Sequence, residues 1–124
     1  AMTERMLRAI RHPATSMIGH LTGRLLLGRK PYALNIELVI REASKCGVAI
    51  ELNANPQRLD VDWRWGSLLR ECKTWVAINP DAHDTQGIAD TRLGIAMARK
   101  ALLPTRQIVN AKGAAEVATW LRRR

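Results

Sequence analysis

Three short apolar runs constrain this chain most. They lie at residues 17–20, 48–53 and 75–78, and each is followed by a polar loop and then by apolar residues at helical spacing. Runs of this length, bounded by polar residues, predict buried strands. Strands that alternate with helices pair in parallel through right-handed crossovers. The chain is therefore expected to be α/β, ordered helix, strand, helix, strand, helix, strand and then further helices. Three strands are few for a closed layer. A parallel sheet wants both faces covered, and this one would leave two edges bare. The expectation is part of a larger barrel or sheet, or a sheet completed by a second copy.

The helices can be placed from their caps and apolar spacing. Thr3 with Glu4 caps a first helix whose inner face is Met6, Leu7 and Ile10, and His12 before Pro13 ends it. Residues 21–30 read as loop with one helical turn at Leu25, Leu26 and Leu27. Asn35 caps the next helix, with Ile36, Val39, Ile40 and Ala43 inward and Gly47 as a left-handed stop. Asp62 caps another, with Trp65, Leu68, Leu69 and Cys72 inward. Asp90 or Thr91 opens a helix with Leu93, Ala96, Met97 and Ala101 inward, and Pro104 stops it. Thr105 caps a short helix through Val109. The last helix spans 114–121 and runs into Arg122, Arg123 and Arg124, whose charge complements the helix dipole.

With 124 residues, the chain is one domain or part of one. Ala1 ahead of Met2 reads as a cloning remnant. Lys and Arg number 20 against 11 Asp and Glu, a formal charge of +9. That favours anionic partners such as nucleic acid or phosphorylated substrates, and equally describes a basic surface or tail. Cys46 and Cys72 stand apart in helical patterns, which suits reduced thiols in the cytoplasm rather than a disulfide framework. No apolar run approaches the roughly 18 residues of a membrane span, and no signal-peptide pattern is present, so no membrane partner is expected.

Chemistry is expected where the strands end. His20 follows the first strand, residues 53–58 follow the second, and Asp81 with His83 follow the third. In a parallel barrel such ends face one mouth. Histidines and a carboxylate gathered there suit Zn²⁺, Mn²⁺ or Fe²⁺, which activate water and polarise phosphoryl oxygens. Taken singly, Asp81-Ala82-His83 is also an ordinary capped turn with a solvated histidine, and His20 an ordinary packed or solvated one. His12 reads as structural. Arg24 can grip a phosphate bidentately, or serve a surface ion pair; Arg58 and Arg29 are weaker candidates. Glu51, inside its strand, needs an arginine, a backbone donor or a metal if buried. Asn53 and Asn55 are expected to hold their loop through side-chain to backbone bonds.

Three ordered stretches carry a family resemblance: Ile18-Gly19-His20-Leu21-Thr22-Gly23-Arg24-Leu25, then residues 48–60, then Ala77-Ile78-Asn79-Pro80-Asp81-Ala82-His83, with Gly94-Ile95-Ala96-Met97-Ala98-Arg99 following. Together they resemble the carboxyl-terminal portion of a PHP (polymerase and histidinol phosphatase) domain, of the type that ends bacterial family-X DNA polymerases. The resemblance runs from about Arg11 to Arg124. It implies a partial, distorted (β/α)7 barrel, here with about three strands and five to six helices. It implies a divalent metal (Zn, Mn, Fe or Mg) at the mouth, held by His20, Asp81 and His83, with Arg24 near the phosphate. It also implies phosphate esters or a DNA 3′ end as substrate, 3′-5′ exonuclease and phosphatase activity, and a place in DNA repair. The chain departs from the family in having Leu21 where proline usually follows the histidine, and Pro80 inside the last motif. The family's early His-x-His pair and its other Glu and His ligands have no counterpart and would lie before Met2.

Two functions follow from different classes. The first is part of a metal-dependent phosphoesterase, weak or inactive without its missing ligands, with metal weakly held or absent. The alternative is a non-catalytic basic module that binds nucleic acid or a protein. A complete enzyme from two pooled copies ranks last, because a second copy repeats the same three ligands. Bare strand edges predict a homo-oligomer.

Overall fold

The computed structural model of the chain describes residues 1–122. Arg123 and Arg124, the end of the expected arginine run, lie outside the described residues; Arg122 closes the last helix as a basic final turn. Helix α1 spans Met2–Arg11 and buries Leu7 and Ile10. Thr3 does not cap it. Its Oγ1 accepts instead from the Asn35 backbone N–H at 3.0 Å, tying α1 to the start of the next helix. The chain leaves α1 through His12, extended as the residue before a proline must be. The His12 ring serves structure, accepting from the Ala14 N–H at 3.2 Å.

Strand β1 covers only Met17–Ile18. It is shorter than expected because His20 takes φ +50° and sends its N–H to Glu51 rather than along the sheet. Residues 25–29 form a tight turn, not a helical one. Leu25 and Arg29 exchange both backbone hydrogen bonds, and Leu27 at φ +62° is in the left-handed region, incompatible with a right-handed turn. Helix α2, Ile36–Cys46, is capped by Asn35 and stopped by Gly47 at φ +65°, as expected. Strand β2 is Ala49–Asn53 and is buried throughout. Asp62 caps a 3₁₀ turn, Trp63–Trp65, which runs into helix α3, Gly66–Glu71.

Strand β3 is Val76–Asn79, and the three strands lie parallel in the order β1-β2-β3. Helix α4, Thr91–Lys100, buries Gly94 and Ala98 rather than the Leu93 and Met97 line, which is half-buried; Ala96 is exposed. The cause is close approach at Gly94. A Cβ there would lie 2.5 Å from Ile78 Cγ2 and 2.8 Å from Ala54 Cβ. After Pro104 the expected helix is two 3₁₀ turns, Thr105–Gln107 and Val109–Ala111. Ile108 between them is extended and pairs in parallel with Val76, and Gln107 turns inward to donate to the Leu69 and Thr74 carbonyls. Helix α5 is Ala114–Arg122.

Strand alternation divides the sheet into two faces. Ile18, Ile50, Leu52, Val76 and Ile78 pack with Leu7, Ile10, Val39, Ile40, Leu69 and other apolar side chains into the main core. The opposite face carries small residues, Ala49 and Ala77, with Met17, Trp75, and Val117 and Trp120 of α5. Its two edges are not equally bare. The Asn110 side chain accepts from the Ile78 N–H at 2.7 Å and donates to the Ile78 carbonyl at 2.8 Å, so one side-chain amide occupies the β3 edge as a strand would. With Ile108 on Val76, that edge is taken, and among the described residues only the β1 edge lacks a neighbour. Neither cysteine forms a disulfide, and among the described residues no helix is long and apolar enough to cross a membrane.

Candidate functional site

Because the strands are parallel, the loops that follow them rise from one end of the sheet. A polar cluster lies beneath them on the small-residue face. Glu51 is buried, and its carboxylate is satisfied without a cation. It accepts from the His20 N–H at 2.8 Å, from Asn79 Nδ2 at 2.9 Å and, more weakly, from Asn53 Nδ2 at 3.4 Å. The neutral donors answer the need of a buried carboxylate. Asn53 Oδ1 accepts from the Asn55 N–H at 3.0 Å, and Asn55 Oδ1 from the Gln57 N–H at 2.9 Å, the loop-holding role expected of both.

The first and second loops are laced together. Buried Asp60 accepts from the Thr22 N–H at 3.0 Å and from Thr22 Oγ1 at 2.9 Å. Arg24 donates to the Arg58 carbonyl at 2.8 Å, to the Leu59 carbonyl, and to Asp62 Oδ2 at 3.0 Å. Those Arg24 donors therefore hold the second loop. Arg58 answers by donating to the Arg24 carbonyl at 3.3 Å. Leu26 N–H donates to the Gln57 carbonyl at 2.7 Å. Arg64 above all, with Arg24 adding to it, holds the Asp62 carboxyl well below the usual carboxylate range, against the opposing effect of burial.

The third loop follows Asn79, extended before Pro80. Asp81 takes φ +53°, a conformation that aspartate tolerates better than most residues. Its Oδ2 lies 3.5 Å from Arg58 Nε, so the second loop also reaches the third. Its carbonyl lies 2.8 Å from His83 Nδ1. A carbonyl only accepts, so Nδ1 is the protonated nitrogen and the neutral ring keeps its lone pair on Nε2. His20 is set the other way. Its Nδ1 is 3.3 Å from Asn53 Nδ2, an amide donor, which leaves the proton on Nε2. Both rings are exposed, and Asp81 is half-buried.

Among the described residues no three His, Cys, Asp or Glu side chains gather closely enough to hold a metal ion. His20, Asp81 and His83 share one end of the sheet, but they do not by themselves make a metal site. Thr22, Asp60 and Asn79 organise this end, and the sequence gives no sign that Thr22 pairs with Asp60 or Asn79 with Glu51. Thr22 and Asp60 lie 38 residues apart, with no local pattern to join them.

No family model matches the chain. Over 120 residues it is 34% identical to the DNA polymerase/3'-5' exonuclease PolX of Bacillus subtilis (strain 168). The alignment takes in 97% of this chain and 21% of that protein. The chain is related to one stretch of PolX. It spans about a fifth of the length of PolX, so what the relative does as a whole is not thereby a property of this stretch.

Proposed function

We propose that this chain is the carboxyl-terminal part of a PHP-type metal-dependent phosphoesterase, built as part of a (β/α)7 barrel, and that it acts on phosphate esters or DNA 3′ ends. One observation carries the reading: the Asp81 carbonyl fixes His83 with Nε2 unprotonated. Metal-ligating histidines are commonly held this way, the remote nitrogen donating to a carbonyl or carboxylate. On this reading Asp81, His83 and, once its ring releases the Asn53 amide, His20 are metal donors completed by side chains outside residues 1–124. A divalent ion of the Zn, Mn, Fe or Mg type would supply Lewis acidity toward a phosphoryl oxygen. The protein's own residues set the frame: Glu51 fixes the His20 backbone, and Arg58 spans the second and third loops. The reading places the protein in the cytoplasm and in DNA repair.

The chain alone is expected to hold metal weakly and to turn over nitrophenyl phosphate poorly. Titration with Mn²⁺, followed by NMR of the three histidine rings, tests the donors. The His83 and His20 signals should broaden well before His12, which lies at the end of α1. Equal broadening of all three sinks the assignment. Turnover by the chain alone, lost in His83→Ala at unchanged fold, sinks the claim of weakness. The absence of a three-donor cluster among the described residues favours a second reading, a basic binding module without catalysis. Persistent absence of Mn²⁺ binding, with DNA binding retained, would select it.

A further inference from the structure

The turn at residues 25–29 presents apolar side chains that the candidate site does not use. Leu27 is fully exposed, at 111% of its reference area, and Leu26 is 42% exposed. Leu27 also holds φ +62°, where glycine or asparagine would be at ease and leucine is not. Nothing in folding rewards a leucine there. It buries no surface, and its backbone is unfavourable.

The turn is nonetheless held firmly. Leu25 and Arg29 exchange backbone hydrogen bonds at 2.9 and 2.8 Å, Gly28 N–H donates to the Leu25 carbonyl at 3.0 Å, and Arg29 Nε to the Gly23 carbonyl at 2.9 Å. Leu26 N–H is bound to the second loop. Below it, Tyr32 lies over Gly23, at φ +64°, where a Cβ would fall 2.2 Å from the ring. The leucines are thus displayed on a braced support.

The segment that carries the turn is cationic. From Arg5 to Ile36 the sequence has no Asp or Glu, while it has Arg5, Arg8, Arg11, Arg24, Arg29 and Lys30. Arg11 and Arg24 are paired with Glu42 and Asp62. Arg29 and Lys30 make no ion pair among the described residues, and with the leucines they line one depression. The turn follows β1, so it stands at the same end of the sheet as His20, Asp81 and His83.

An apolar tip in a basic collar is the means by which proteins part stacked bases while holding the flanking phosphates. We propose that Leu27, with Leu26 beside it, contacts unstacked bases at a junction of duplex and single strand, and that Arg29 and Lys30 hold the adjoining phosphates. The choice of a nucleic acid over an anionic lipid surface rests on the phosphoesterase reading; the tip and its collar do not.

Anisotropy of a labelled duplex with a 3′ single-stranded tail, measured in chelator so that no metal or turnover enters, tests this on the whole chain. Leu27→Gly suits the backbone, so the variant should fold at least as well as the parent. It should nevertheless bind the tailed duplex about tenfold more weakly, the effect of losing one base contact. It should bind a blunt duplex nearly as the parent does. Lys30→Ala should lower the slope of log affinity against log salt by about one. Unchanged binding in Leu27→Gly, or an equal loss on blunt and tailed duplex, overturns the proposal. So does a Leu27→Gly effect confined to phosphatidylserine vesicles, which would assign the tip to a lipid surface. If the histidines fail to bind Mn²⁺ while Leu27→Gly still loses the tailed duplex, the tip stands and the catalytic reading falls.

Discussion

Asp62 shows how much one carboxylate does at this end of the sheet. It caps the 3₁₀ turn before α3 and binds Arg64 and Arg24 together. Its folded pKa is depressed, chiefly by Arg64. The stability it confers is therefore complete above the ordinary carboxylate value of about 4 and fades as pH falls below it. Asp62→Asn should cost about 1 kcal/mol at pH 7 and progressively less toward pH 2. Urea unfolding across that range checks it; a difference that does not shrink in acid would contradict the pairing. The capping role was legible, because an aspartate before a tryptophan-rich helical run is a local signal. The arginine that reaches it from residue 24 was not. Arg24 read as a phosphate ligand or as half of a surface ion pair, and its partner could not be named from sequence because the groups it binds here lie 34 to 38 residues on. His83 shows the same limit in reverse. Its type and spacing were visible in sequence, but the tautomer that suits it to a metal depends on a carbonyl two residues away, held by a left-handed Asp81.

Among elements, the strands and α2 were legible because their signals are local: a short apolar run between polar residues, an asparagine cap, a glycine stop. The differences arise where one element answers another. β1 ends early because Glu51 takes the His20 N–H. α4 turns Gly94 and Ala98 inward because only a glycine lets it approach Ile78 and Ala54. The expected helix after Thr105 is broken because Ile108 joins the sheet. The two laced loops are the clearest case. Asp60→Ala should leave the Thr22 N–H without its buried partner and destabilise the fold by about 2–3 kcal/mol. Asp60→Asn can still accept from the N–H and donate to Oγ1, and should cost under about 1 kcal/mol. Denaturant unfolding of both variants tests this. Equal losses would mean that the charge, not the lacing, is what the site needs.

For the molecule as a whole, the sequence showed the parallel α/β character and the open sheet, but it put both edges in the open. The Asn110 amide closes one of them. This asymmetry limits how copies can join. A head-to-tail series needs a free β3 edge to receive each β1 edge, and that edge is occupied. Through their sheet edges, as far as the described residues show, two copies can meet only β1 to β1, about a two-fold axis that uses up both free edges at once, so growth by strand pairing stops at a pair. Sedimentation of the parent chain should accordingly show nothing larger than a dimer at any concentration, whereas Asn110→Ala should yield higher species. Open-ended assembly by the parent would show that the amide is no barrier. If copies join through their sheets, a single side-chain amide decides between an assembly that closes on itself and one that could lengthen without end.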